Sequence, residues 1–356
     1  MKKVLKHRQL NSSCKIALLF VFFNFVLVGL KASADINNFH SSELEAHADT
    51  LFQSTYEREL ENPNDAFWGY EKLVELGHVE AKVRFSALLQ AGLGEGKQDE
   101  KVQQSLELLN EAAKEGSASA YYGLAVTYFS GWYVPVDESL GLKFLFKAAE
   151  GGEPRAQNRL GYLYNTGQNV DKNIDKALYW YRKSAEQNHG AAFYNLANAF
   201  LEGEGVKQNT SKAIELLTKG ANEKHGDSIA KLGNLYFDQK YGIQDSKLAF
   251  YWLSKSAEEG SVYGQAGLGS CYRFGIGTDV NYEKAVYWYK LALENGDYEI
   301  AGFNLAEMYA NGLGIESNLK EARRLYVMLA EQGDVEAERE LEKIDRLMKQ
   351  DKAIDG

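Results

Sequence analysis

"SKLAFYWLSKSAEEGSVYGQAGLGSCYRFGIGTDVN", residues 246–281, is one full unit of a pattern that recurs on both sides of it. Upstream stand "DKALYWYRKSAEQNHGAAFYNLANAFLEGEGVKQN" (175–209) and "SKAIELLTKGANEKHGDSIAKLGNLYFDQKYGIQD" (211–245). Downstream stands "YEKAVYWYKLALENGDYEIAGFNLAEMYANGLGIESN" (282–318). Ala177, Ala213, Ala249, Ala285 and Ala322 are equivalent, at spacings of 36, 36, 36 and 37 residues. Leu140 precedes Ala177 by 37 residues, and Leu106 precedes Leu140 by 34. A constant period in this range is the mark of a helical solenoid.

Within a unit, Ala177, Trp180, Tyr181 and Ala185 fall on one helical stripe, and Leu196, Ala197 and Phe200 mark a second helix. Small residues let two helices approach, and the Trp and Tyr rings fill the groove between successive pairs. Gly77, Gly116, Gly152, Gly260, Gly296 and Gly333 stand where a helix ends in a left-handed residue, and Asn188 tolerates the same conformation. A second turn, G-x-G, falls at Gly203/Gly205, Gly275/Gly277 and Gly312/Gly314. Its recurrence marks a corner of the solenoid. A phosphate cradle would need a strand before it, and the pattern predicts none.

The stretches "AQNRLGYLYNTGQNV" (156–170), "KALYWYRKSAEQN" (176–188) and "GLGSCYRFGIGTDVNYEKAVYWYKLALENG" (267–296) carry a composite pattern. It reads A-x-x-x-L-G-x-x-Y-x-x-G-x-G-V, then K-A-x-x-W-x-x-x-A-A-x-x-G. This resembles the Sel1-like repeat family, a relative of the tetratricopeptide repeats, over roughly residues 64–334. The resemblance implies an all-α fold, an α/α superhelical solenoid of about seven to eight 36-residue helix-turn-helix repeats used as an adaptor or scaffold. Some exported members carry a cysteine pair in each repeat and are linked to beta-lactam binding; those cysteines are missing here.

By the same resemblance, the L-G-x-x-Y helix lines a concave groove. The groove positions carry Tyr122, Phe129, Arg155, Asn158, Tyr162, Asn165, Tyr194, Asn198, Phe237, Tyr263, Arg273, Phe303 and Glu307. Such a surface suits a peptide, with Asn bonding its backbone and rings covering its apolar side chains. The alternative for many of these rings is packing between repeats.

The ends depart from the pattern. Residues 1–34 combine a basic start, the apolar run "IALLFVFFNFVLVGL" (16–30) and the small-residue site Ala32–Ser33–Ala34. They read as a secretory signal peptide, with no stable membrane span after its cleavage. Residues 35–63 read as a polar linker with a short helix. Residues 335–356 read as a capping helix and tail, with Ala337, Leu341, Ile344 and Met348 in an apolar stripe.

Beyond residue 34 the chain holds 34 basic and 50 acidic residues. That balance disfavours nucleic acid as a partner and suits a basic protein. Cys271 lacks a second cysteine in the exported part and reads as a small buried hydrophobe. The sequence has no H-E-x-x-H, G-x-S-x-G or P-loop motif. His189 and His225 fall at helix ends, where capping as cations at helix C-termini would account for them. No enzyme activity, cofactor or metal is expected. The expectation is a noncatalytic periplasmic or secreted scaffold of a bacterial envelope, binding a protein or peptide partner. Exported proteins with such repeats resemble immunity proteins that neutralise secreted antibacterial effectors such as a phospholipase, which is an alternative. A cell-wall or beta-lactam hydrolase is the remaining one.

Overall fold

The computed structural model describes residues 40–354 apart from 132–133, 239 and 297–298. The expected export segment, 1–34, lies outside the described residues. The chain divides into two compact units, Met1–Glu115 and Gly116–Gly356. All regular structure among the described residues is helical.

The first unit holds α1 (His40–Glu61), α2 (Pro63–Glu75), α3 (Val79–Gln90) and α4 (Gln98–Lys114), each packed on the next. The stretch expected to be linker with a short helix therefore contains a helix of 22 residues. Ala48, Leu51 and Phe52 make a narrow apolar stripe on α1, continued by the buried Thr55, and pack on the cluster around Phe67, Tyr70, Leu73 and Phe85.

The second unit continues as pairs: α5 (Ala118–Ser130) with α6 (Glu138–Glu150), α7 (Pro154–Thr166) with α8 (Ile174–Ala185), and α9 (Gly190–Glu202) with α10 (Thr210–Asn222). Then follow α11 (Gly226–Phe237) with α12 (Ser246–Glu258), α13 (Val262–Phe274) with α14 (Tyr282–Glu294), and α15 (Ile300–Asn311) with α16 (Leu319–Glu331). Last comes α17 (Val335–Ile354). The chain is thus an all-α solenoid of paired helices, as the period requires.

Two local devices set each pair. The first is an N-cap at constant register. Asp137, Asn173, Asn209, Asp245, Asn281 and Asn318 start the even-numbered helices from α6 to α16, and each side-chain oxygen accepts a helix N–H two or three residues on. The backbone N–H of each cap residue also reaches back to a carbonyl of the preceding helix: Asn173 to Tyr164 at 2.8 Å, Asn209 to Phe200 at 2.8 Å, Asn281 to Tyr272 at 2.8 Å. That closes the G-x-G corner, where Gly275 and Gly277 both have φ of 70°.

The second device is the small-residue register. Ala177, Ala213, Ala249, Ala285 and Ala322 are all fully buried. Toward the N-terminus, Gly141 and Ser105 occupy this place, and the leucines Leu140 and Leu106 are half-buried beside them. The period of 36 thus extends from Ser105 to Ala285 without the slips that leucine alignment suggests. The position demands small volume more than hydrophobicity: a Cβ at Gly141 would stand 3.1 Å from the Phe129 ring.

Four residues after the small residue comes the largest buried group: Tyr181, Leu217, Leu253, Tyr289 and Tyr326. The neighbouring Trp180, Trp252 and Trp288, expected to fill the groove between successive pairs, are half-buried. Each lies against the cluster of the preceding repeat. The helix rotates the fully enclosed position one residue past the Trp. At the C-terminal end, Ala337 and Ile344 of α17 are buried, with Leu341 and Met348 packed on the same cluster.

Candidate protein-binding face

The odd-numbered helices from α5 to α15 carry the L-G-x-x-Y segments or, in α5, α9 and α15, their L-A-x-x-Y/F equivalents. α9 touches α11, α11 touches α13, and α13 touches α15, each skipping the helix between. Direct contact between alternate helices belongs to the inner row of a curved stack. All thirteen expected groove residues lie on these helices.

The structure divides them by environment. Tyr162 and Tyr263 are exposed, at 41% and 67%, as is Arg155. Tyr122, Asn165, Tyr194 and Asn198 are half-buried. Phe129, Phe237 and Phe303 face packing: Phe129 covers Gly141, Phe237 rests on the Leu253–Cys271 cluster, and Phe303 meets the Tyr326 ring edge-on at 5.6 Å. Asn158 accepts from Asn195 Nδ2 at 2.9 Å, tying α7 to α9.

Two groups come together. The Arg155 guanidinium lies 4.8 Å from the centre of the Tyr122 ring, and its Nε donates to Glu153 at 2.6 Å. Glu153 is buried and also accepts from Ser119 at 2.9 Å. Burial raises its carboxyl pKa, but hydrogen bonds and charge from Arg155, with Ser119, more than offset this and hold it below the ordinary value. In the second group, Arg273 Nη2 lies 2.7 Å from Glu307, and Nη1 donates to Asn304. Arg273 and Glu307, each expected to meet a partner, thus meet each other across consecutive repeats.

Some exposed residues of this face were not singled out by the groove pattern. Val126 (46% exposed) occupies in α5 the place of Tyr162 in α7, so the register could have found it. Arg159 and Phe274 lie outside the groove offsets, and only side-chain placement shows them.

His225 does not cap a helix C-terminus. It is the N-cap of α11, where neutral Nδ1 accepts the Ser228 N–H. His189 is the N-cap residue of α9, with no side-chain cap bond. Burial, and for His189 the neighbouring His225, pushes both imidazole pKa values down. Cys271 is fully buried, which pushes its thiol up to about 12. Among the described residues, no group of three or more His, Cys, Asp or Glu side chains could hold a metal ion, and no helix is long and apolar enough to cross a membrane.

The Sel1 repeat model matches residues 81–117, 118–153, 154–189, 191–225, 226–261, 262–297 and 301–334. The chain belongs to the Sel1 repeat family, a class of tetratricopeptide-like helical repeat proteins. Among solved structures it is similar to a protective antigen present in uropathogenic Escherichia coli strains, which displays an SLR fold: 29% identity and a TM-score of 0.68 over 79% of this chain. The match spans 60% of that chain's length. It is also similar to a Sel1 repeat protein from Oxalobacter formigenes, at 30% identity and a TM-score of 0.63, over 71% of this chain and 99% of that one. An immunity protein from Pseudomonas aeruginosa matches at 22% identity and a TM-score of 0.46, over 61% of this chain and 84% of that one, and carries no functional argument. No curated protein matches the chain.

Proposed function

We propose that this protein is a noncatalytic binding scaffold of a bacterial envelope, exported through residues 1–34, that holds a segment of another protein along the inner row of helices. The observation that supports this most is the set of rings left open on that row, Tyr162 and Tyr263 above all, beside Asn and Arg side chains. Exposed rings flanked by amide and guanidinium groups fit a peptide backbone with apolar side chains. Such anchors commonly carry most of an interface's free energy.

The test is cross-linking and affinity capture from an envelope fraction, followed by titration of the captured partner. One stoichiometric protein should be recovered, with cross-links on the inner-row helices. Tyr162→Ala and Tyr263→Ala should weaken its binding by about 2 kcal/mol with melting temperature unchanged. Capture of no stoichiometric partner would remove the proposal. Recovery of a secreted antibacterial enzyme, with protection of cells on co-expression, would narrow the role to immunity. Saturable turnover of a peptidoglycan fragment or a chromogenic lactam would overturn the noncatalytic reading.

A further inference from the structure

An open pocket of about 310 Å³ lies at the N-terminal end of the second unit. Tyr122, Ala125, Val126, Phe129 and Ser130 of α5 line it, with Leu145 of α6 and Arg159 of α7, and its surface is mostly apolar. Its volume is at the lower limit for a small-molecule site, where ligands need roughly 300–1,000 Å³. It suits one large side chain better than a whole cofactor.

The local charge runs against the composition. The chain as a whole carries a formal net charge of −10. Yet α5 has no charged side chain, and α7 has only Arg155 and Arg159. The adjacent carboxylate, Glu153, is already occupied by Arg155 and Ser119. Arg159 is different. Its guanidinium lies 5.3 Å from the centre of the Tyr162 ring, and among the described residues no carboxylate is within ion-pair distance. An exposed, unneutralised fork next to an apolar pocket calls for a carboxylate attached to an apolar group.

We infer that this pocket receives a large apolar side chain, aromatic or long aliphatic, from an acidic segment of a partner protein, and that Arg159 binds an Asp or Glu beside it. The inference rests on the inner-row function proposed above and sharpens it. The occupant is an acidic apolar peptide, although the net charge of the whole chain favours a basic partner.

The experiment pans a displayed library of random short peptides on the purified full protein, then synthesises and titrates the winners. Enriched sequences should place Trp, Phe, Leu or Met next to Asp or Glu. Their affinity should fall about tenfold or more, equivalent to 1.4 kcal/mol, with Arg159→Glu, with Val126→Trp, which fills the pocket, and with amidation of the peptide carboxylates. Both substituted residues are exposed, and thermal melts confirm that the variants fold. Winners that are basic or uncharged, or that bind both variants unchanged, overturn the inference. If such winners instead lose affinity with Tyr194→Ala or Tyr263→Ala, the inner-row function stands and only this assignment falls. If no inner-row variant affects any winner, or none is selected, both fall.

Discussion

Arg273 of α13 and Glu307 of α15 are paired at 2.7 Å, one repeat apart, with the Arg273 side chain only 12% exposed. The same guanidinium bonds Asn304 and lies 4.8 Å from the Phe274 ring centre. A cation this enclosed acts as a tie between repeats. Arg273→Ala should therefore lower stability by about 1–3 kcal/mol, because it leaves Glu307 and Asn304 without their donor. The loss is read as a fall in melting temperature. A variant that melts like the parent would assign Arg273 to partner contact instead.

Close packing at the L-G-x-x-Y glycine predicts a contrast between two Gly→Ala changes. A Cβ at Gly269 would stand 2.7 Å from the buried Tyr289 ring, whereas one at Gly226 meets nothing within 4 Å. Gly269→Ala should cost about 1–3 kcal/mol by overpacking. Gly226→Ala should be neutral or stabilise by up to about 1 kcal/mol, through lower unfolded-state entropy. Urea denaturation of the two variants separates them, and equal effects would contradict the helix register.

The rotation of the even-numbered helices makes neighbouring aromatics unequal. Tyr289 is fully buried, and its hydroxyl lies 2.9 Å from Ser270 Oγ. Trp288 next to it is half-buried. Tyr289→Ala should cost about 3–5 kcal/mol, and Trp288→Ala clearly less. The reverse order in chemical denaturation would show that the Trp is the true core position.

The cap ladder gives a local prediction. Asn281 Oδ1 accepts the Lys284 N–H at 2.9 Å. Asn281→Ala should lose about 1 kcal/mol, and Asn281→Asp should restore most of it. Hydrogen exchange should show the loss concentrated in the first turn of α14.

Acid should weaken the fold before the carboxylates titrate. Burial lowers the pKa of His189 and His225; the nearby His225 adds to the effect on His189, while Asp227 partly opposes it at His225. The unfolded chain takes up these protons near 6.5, above the folded-state values. It therefore binds more protons than the folded chain as pH falls below 6.5, and stability drops through that window. Above it the contribution is fully present. Melting temperature should decline from about pH 7 to pH 5, and less so in His225→Asn, whose cap does not titrate. An equally steep decline in that variant would place the effect elsewhere.

The residues of repeats 175–318 are enough to determine that the chain forms helices, that they pair, and that they recur every 36 residues. Period, capping and turn chemistry are local properties, and Gly77, Asn188 and Gly296 adopt the left-handed conformation their positions predict. Other features depended on tertiary packing. Leu140 and Leu106 mimic the register by being apolar, but volume against Phe129 gives the place to Gly141. Trp180 and Tyr181 read alike as rings filling the groove between pairs, but helix rotation encloses Tyr181 and leaves Trp180 half-buried. Arg273, Glu307, Arg155 and Arg159 all read as polar groove residues or helix surface in one dimension. Three-dimensional distance decides which carboxylate each can reach: two cations are paired, and Arg159 is left facing an apolar pocket. Sequence fixes short-range hydrogen bonding and periodic burial; side-chain pairing across repeats is a long-range property, settled only when the helices stack.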